Sequence, residues 1–310
     1  VHTGVGTIRC VVRIYWQRSY RWLCSLSTDG TILTQKVVLI TGCGSGIGLA
    51  IAVAAGKAGY IVYAGLRDLS TQQNLVEQTE GLSVHPVQLD VTNPMERTDV
   101  IDAIVKKHGQ IDILINNAGI GIAGFLEELT EEELRQVFEV NFFAIWALTT
   151  ECLPFLRKSK GHLVMISSLS GQMAIPGIGS YCASKFALEG LTETWRHELK
   201  PFGIKVLLIQ PGAYRTNMTG PNRKITTNTG TAHEQYTDFE QAMTIWYDRV
   251  AVARAIEPSH LAEHLLKIFK QSNPKFRHPI GPSTGWRRII LNCLPFGIIE
   301  WYFGRLLNKQ

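Results

Sequence analysis

The sequence predicts an α/β fold: a single doubly wound parallel sheet with helices on both faces. Three observations carry this. Apolar, β-branched runs recur at VVLIT (37–41), YIVYAGL (60–66), VHPVQLDVT (84–92), IDILINNAG (111–119), GHLVMISS (161–168) and GIKVLLIQPG (203–212). Segments at helical period separate them, and strands alternating with helices make βαβ units. The runs are apolar throughout rather than alternating, as in strands covered on both faces.

The elements follow in order. After the first run, TGCGSGIG (41–48) gives way to LAIAVAAGKAG (49–59), a small-residue helix ending at Gly59. Asp68 suits the N-cap of a helix over 69–80. Residues 94–108 are amphipathic and helical. TEEELRQVFEVNFFAIWALTTECLPFL (130–156) reads as one long helix, and Thr130 with Glu133 forms a capping box at its start. SYCASKFALEGL (180–191) has no Pro and favours helix. Residues 219–233 are polar and rich in Gly and Thr, which predicts a mobile loop, and 236–270 are helical again.

The 310 residues carry a net charge of +5, unevenly placed. Residues 1–30 hold four Arg and one Asp, 271–310 hold six Lys or Arg and one Glu, and the remainder is mildly acidic. Basic ends on an acidic core do not make a nucleic-acid groove. They suit an anionic surface or plain solvated charge. The six Cys (10, 24, 43, 152, 182 and 293) form no C-x-x-C and join no His at zinc spacing. That favours free thiols in a reducing compartment and no metal site. No apolar run reaches the ~20 residues that span a bilayer. The Arg-rich segment before residue 35 resembles a mitochondrial transit peptide or an over-extended start, and it is set apart from the fold. Domain bounds of 1–34, 35–285 and an apolar basic tail at 286–310 follow, with a cytoplasmic location expected.

Two constellations carry chemistry. The glycine turn spaces Gly42, Gly46 and Gly48 between a strand and a helix. Glycines let backbone approach a pyrophosphate, and the helix N-terminus supplies amides and a positive dipole end. Gly42, Ser45, Gly46, Ile47 and Gly48 are therefore expected to hold a dinucleotide, in a Rossmann-type arrangement. The second strand ends at Arg67 and Asp68. An Arg fork suits a 2′-phosphate, whereas Asp68 suits either the ribose or a helix cap. NADP(H) is favoured over NAD(H). The second constellation is Tyr181 and Lys185, four residues apart and so on one helix face. A free phenol has a pKa of about 10, and an adjacent ammonium lowers it into the range of an acid–base catalyst. A packed aromatic beside a snorkelling Lys is the plainer alternative for the pair alone.

TGCGSGIG, Asp90, NNAG (116–119), Asn141, Ser168, the Y-x-x-x-K of 181–185 and Pro211-Gly212 with Thr216 stand in that order. Together they resemble the short-chain dehydrogenase/reductase family over about 36–270. Within it, GCGSGIGL, YAGLRDL and YCASKFALEGL look most like the branch of type 1 17β-hydroxysteroid dehydrogenase and photoreceptor retinol dehydrogenase, and like many bacterial reductases. The resemblance implies that Tyr181 is the acid–base, that Lys185 lowers its pKa and bonds the nicotinamide ribose, and that Ser168 polarises the substrate oxygen, with Ser167 as the neighbouring alternative, read as structural. It implies that Asn141 holds a water linking Lys185 to solvent. Asp90 and Val91 would contact adenine, Asn117, Ala118 and Gly119 would line the adenine-ribose side, and Pro211, Gly212 and Thr216 would close over the nicotinamide.

The substrate end is expected at about 213–250, with Tyr214, Met218, Phe239, Met243, Trp246 and Tyr247 as its apolar candidates or as core. The tail IILNCLPFGIIEWYFGRLL (289–307) suits a membrane surface or, preferably, a cover for the substrate pocket or a partner subunit. The expected function is hydride transfer between NADP(H) and a lipophilic alcohol or carbonyl, steroid- or retinoid-like. The alternatives are a 3-oxoacyl or small-ketone reductase, and a dinucleotide-binding regulator without turnover. The resemblance implies a homodimer or homotetramer formed through the long helices.

Overall fold

A computed structural model describes residues 35–217, 224–228, 230, 236–281, 284 and 295–307. The N-terminal extension, Met218, and the part of the tail before Pro295 lie outside the described residues.

The central sheet has seven strands, all parallel. They are β1 (Val37–Thr41), β2 (Ile61–Leu66), β3 (Val84–Gln88), β4 (Ile113–Asn116), β6 (His162–Ile166), β7 (Lys205–Pro211) and β9 (Arg277–Ile280). Their spatial order is 3-2-1-4-6-7-9, so the chain reverses direction across the sheet between β1 and β4. Ligands in open α/β sheets bind at such a switch point, beyond the carboxyl ends of the strands. A second, two-stranded sheet pairs β5 (Ile122–Ala123) with β8 (Lys224–Ile225). Six strands were legible in the sequence. The last, RHPI, was not, because its Arg, His and Pro break the apolar run. β8 places an ordered strand within the segment expected to be a mobile loop.

Alternate residues of each strand feed two cores. On one face Val38, Ile40, Ile113 and Ile115 pack with Ile51 and Ala55 of α1 (Gly46–Lys57) and with Leu261 and Leu265. On the other, Val37, Leu39 and Leu114 pack with Ile104, Leu148 and Leu188. Ile104 lies on α3 (Pro94–His108), which starts with an Asn93 side chain accepting from Met95 N and ends at left-handed Gly109.

The segment expected as a helix over 69–80 is instead a short 3₁₀ turn, Leu69–Thr71, followed by α2 (Gln73–Gln78). Asp68 caps the 3₁₀ turn by accepting from Ser70 N. The long helix over 130–156 is interrupted. α4 (Glu131–Phe138) begins with the expected capping box, a π turn covers Glu139–Phe143, and α5 (Ala144–Ser159) continues beyond Pro154. Such π turns mark functional positions often enough to point at Asn141, which sits within this one. α6 (Gly179–Glu198) carries Tyr181 and Lys185. Residues 236–270 split into α7 (Tyr236–Tyr247), a π turn, and α8 (Ser259–Phe269), and α9 (Phe296–Leu307) packs on α7.

Candidate active site

The glycine turn forms a cradle at the carboxyl end of β1. Gly46 has φ of 58°, and a Cβ there would press on Thr216 at 3.1 Å. A Cβ on Gly48 would lie 2.2 Å from Gly42 O. Ser45 gives α1 no side-chain cap, so the first turn of the helix faces the cavity with its amides uncapped by that side chain. The cavity of about 1750 Å³ is lined here by Gly42, Ser45, Gly46, Ile47, Arg67 and Asp90. Val91, Ala118, Gly119, Pro211, Gly212 and Thr216 line it further along. This tight, glycine-lined, apolar-walled turn at a helix N-terminus fits a dinucleotide.

Asn117 also lines the cavity, but its side chain is engaged elsewhere. Its Nδ2 donates to Thr41 O (2.9 Å) and Gly42 O (3.1 Å), locking the glycine turn to the end of β4. Thr41 completes the lock, its buried hydroxyl accepting from Asn117 N (3.0 Å) and Ala118 N (2.9 Å). Gly48 is absent from the cavity wall: it shapes the turn from behind. Arg67 and Asp68 are both exposed and both line the cavity, and the Asp68 carboxylate also accepts from Ser70 N.

At the other end of the cradle, α6 presents Tyr181 to the cavity and buries Lys185 behind it. Lys185 Nζ donates to Ile166 O at 2.9 Å and stands 5.6 Å from the Tyr181 ring centroid. The Ser168 hydroxyl lies within hydrogen-bonding reach of the Tyr181 phenol and accepts from Ser170 N. Ser167 is buried and lines the cavity, with its hydroxyl near Glu189 of α6. Asn141 is fully buried. Its Oδ1 accepts from Ile120 N (2.9 Å), and its Nδ2 donates to Ile120 O (2.8 Å) and to Ser184 Oγ (2.9 Å). It therefore pins the loop after β4 onto α6 between Tyr181 and Lys185.

The electrostatics correct one expectation. Burial pushes the Tyr181 phenol up to about 12, against the Ser168 hydroxyl, which pulls it down. Burial likewise pulls the Lys185 ammonium down to about 8, opposed by Glu189. The phenol is thus not held below its ordinary value in the free protein. Desolvation of the phenolate is the largest cause.

The substrate end is apolar. Trp246 and Tyr247 from α7 and Ile298, Ile299, Trp301, Tyr302 and Phe303 from α9 line the cavity. Trp246 Nε1 donates to Tyr302 Oη at 2.8 Å, and its ring meets Phe303 edge-on. Phe239 and Met243 instead form a small core with Phe125, stacked at 5.4 Å. Tyr214 is buried, with its hydroxyl 3.1 Å from His260 Nδ1. Thr41, Ile120 and Ser184 were missed as site members, whereas α9 belongs to the tail expected as a pocket cover. The Thr before the glycine turn and the Ser inside Y-x-x-S-K were the available signals for two of them.

The fold and this site define a dinucleotide-linked oxidoreductase. The short chain dehydrogenase family matches residues 36–226, and the chain belongs to that family. A 3-ketodihydrosphingosine reductase from Bacteroides thetaiotaomicron is 38% identical over 252 residues, 81% of this chain and 89% of the relative. Human 17-beta-hydroxysteroid dehydrogenase type 1 is 33% identical over 261 residues, 79% of this chain and 77% of the relative. A short-chain dehydrogenase/reductase from Burkholderia phymatum, solved in complex with NAD, superposes with a TM-score of 0.71 at 25% identity, over 86% of this chain and 95% of that one. The chain is therefore an oxidoreductase of the class acting on alcohols and ketones with a nicotinamide dinucleotide. Among the described residues no helix is long and apolar enough to cross a membrane.

Proposed function

We propose that the protein interconverts a lipophilic ketone and its alcohol with NADP(H), using Tyr181 as acid–base, Ser168 as hydrogen-bond donor to the reacting oxygen, Lys185 as the supporting cation and Asn141 as the anchor of the loop beside them. The observation that carries this is the Tyr181–Ser168 hydroxyl pair on the wall of a large apolar cavity, with Lys185 buried behind it.

The nicotinamide, when bound, supplies or accepts the hydride. Gly42, Ser45, Gly46, Ile47 and Gly48 shape the pyrophosphate side, Asp90, Val91, Asn117, Ala118 and Gly119 the adenosine side, and Pro211, Gly212 and Thr216 the nicotinamide side. A substrate carbonyl oxygen gains negative charge during reduction. Tyr181 gives it a proton, and the Ser168 hydroxyl stabilises the charge as it develops. With its phenol near 12 in the free protein, Tyr181 is protonated at neutral pH and ready to donate. In the reverse direction Tyr181 takes the alcohol proton, and Lys185 offsets the charge left on its oxygen. Lys185 also reaches toward the ribose side. Asn141 is suited to a water link from Lys185 toward solvent.

Arg67 favours the 2′-phosphate, since Asp68 is occupied in capping. The 38% identical 3-ketodihydrosphingosine reductase and the 33% identical hydroxysteroid dehydrogenase support a lipophilic substrate, as does the aromatic wall from α7 and α9. A 3-oxoacyl or small-ketone substrate would leave that wall without purpose. The exposed Phe143, Trp146 and Phe186 on α5, its preceding π turn and α6 favour self-association through those helices. The exposed Phe296 and Trp301 of α9 favour peripheral contact with a lipid surface.

The test is cofactor oxidation on a panel of long-chain, steroid, retinoid, acyl and short ketones, with NADPH and NADH and with Tyr181→Phe. Turnover of a lipophilic ketone with NADPH, lost at least 100-fold in the variant, is the expected result. Faster turnover with NADH refutes the Arg67 argument, and tight cofactor binding without turnover on any ketone favours a regulator.

A further inference from the structure

One turn beyond Lys185 on α6, Glu189 is a buried carboxylate for which the proposed reaction gives no use. Only 7% of it is exposed. Both its oxygens accept from Gln210 Nε2 at 2.9 Å, and Arg277 Nε stands 3.6 Å from Oε2. Arg277 is shared with Glu193, whose Oε2 accepts from Nη2 at 2.7 Å. A carboxylate that receives an amide on both oxygens and an Arg beside it is arranged as an anion.

Its neighbours are parts of the site. Gln210 immediately precedes Pro211 and Gly212 on β7, and Arg277 opens β9. Ser167 follows Ile166, whose carbonyl holds Lys185. Ser167 Oγ is buried and finds no well-aligned partner among the described residues, while its hydroxyl draws the Glu189 carboxyl down against burial. The 3₁₀ turn after Ser168 passes so close that a Cβ on Gly171 would meet Ser167 Oγ at 2.9 Å, Glu189 Cγ at 3.0 Å and Lys185 O at 3.1 Å. The strand end, the turn and the helix are packed against this one side chain.

A buried ammonium is costly unless an opposite charge is near. The groups facing Lys185 are the Tyr181 phenol and Glu189 on α6, the Ile166 carbonyl from β6, and the uncharged Asn141 beside Gly119. Those facing Glu189 are Lys185 and Glu193 on its own helix, Arg277 on β9, Gln210 on β7 and Ser167 after β6. Burial pushes the Glu189 carboxyl above its ordinary value, Gln210, Ser167 and Arg277 draw it back down, and its charge opposes the burial that lowers the Lys185 ammonium.

We propose that Glu189 is a positioning residue for the reaction, one that places a buried carboxylate one helical turn from Lys185 and clamps α6 to the ends of β6, β7 and β9. The proposal rests on the role of Lys185 given above, and its test separates the two. In cofactor-free protein with ¹³C-labelled lysine, the Lys185 resonance is assigned by its loss in Lys185→Arg and titrated. Glu189→Gln is expected to lower the titration midpoint by roughly one pH unit, while Glu189→Asp stays close to wild type. Turnover is expected to follow. The alkaline limb of kcat shifts down by the same amount in Glu189→Gln, so the rate falls up to about tenfold above the midpoint and little below it. Should Glu189→Gln not fold, the double variant E189Q/R277M removes both charges of the buried pair, which is better tolerated than removing one. It is read the same way, because Lys185 senses Glu189 rather than Arg277. An unmoved Lys185 midpoint overturns the proposal, as does a uniform loss of rate at every pH with reduced stability, which is what a purely structural clamp produces. Because the titration needs neither cofactor nor turnover, it stands even if the ketone panel fails.

Discussion

Replacing Gly48 by Ala tests the cradle more sharply than any catalytic substitution. The added methyl would sit 2.2 Å from Gly42 O and 2.5 Å from Asn117 Nδ2. Ordinary contact needs about 3.4 Å, so one of these groups must retreat by more than 1 Å. Neither is the loose end of a side chain. Gly42 O is backbone, and Asn117 Nδ2 is tied to two carbonyls at 2.9 and 3.1 Å. Overpacking of this kind costs about 1–3 kcal/mol, and losing the two Asn117 bonds adds roughly 1 kcal/mol each. The total is a destabilisation of about 3–5 kcal/mol, read from urea unfolding followed by circular dichroism. The same displacement opens the turn, so NADPH affinity, measured by nicotinamide fluorescence, should fall by about tenfold or more. Gly44→Ala is the control for folding. Its nearest neighbour would be Thr71 Oγ1 at 3.8 Å, so unfolding should stay within about 0.5 kcal/mol of wild type. A Gly48→Ala protein as stable as wild type that binds NADPH unchanged would refute the close-approach argument.

Two further outcomes follow from the geometry. His162 is buried beside Phe269, and burial, with Lys205 and Lys36, pulls its pKa from 6.5 to about 4. Its folded form resists the proton, so stability is whole above pH 6.5, falls as the pH drops to about 4, and levels below. The loss is about 3 kcal/mol, and unfolding of His162→Phe should show a flatter profile over that window. Trp246→Phe removes the bond to Tyr302 that ties α9 to α7, and KM for a long-chain or polycyclic ketone should rise several-fold while kcat on a short ketone stays put.

The strands and the order of motifs were legible because apolar runs and glycine spacing are local properties of the chain. What the sequence hid depends on partners distant along it. Asn117 looks like a cofactor ligand by position, yet its amide is spent on carbonyls of residues 41 and 42. Phe239 and Met243 look like pocket residues by type, yet Phe125 from the loop after β5 turns them into core. The rise of the Tyr181 pKa was illegible because desolvation is a property of the closed fold, and the Lys four residues away could be read without it. Arg277 was concealed inside a run broken by His and Pro, so neither β9 nor its ion pair with Glu189 could be found from periodicity.

The strand order also constrains how the chain assembles during synthesis. β1 lies between β2 and β4, and β4 is made long after β2 is complete. Until residues 113–116 leave the ribosome, one edge of β1 has no partner, and an apolar parallel edge is a template for the wrong chain. Among the described residues the outer strand β9 pairs only with β7, and it is made after every other strand of the sheet. An arrested chain lacking it would keep Tyr181, Lys185 and the glycine cradle but leave Glu189 without Arg277. Such a product would carry every recognisable motif and still be electrically incomplete.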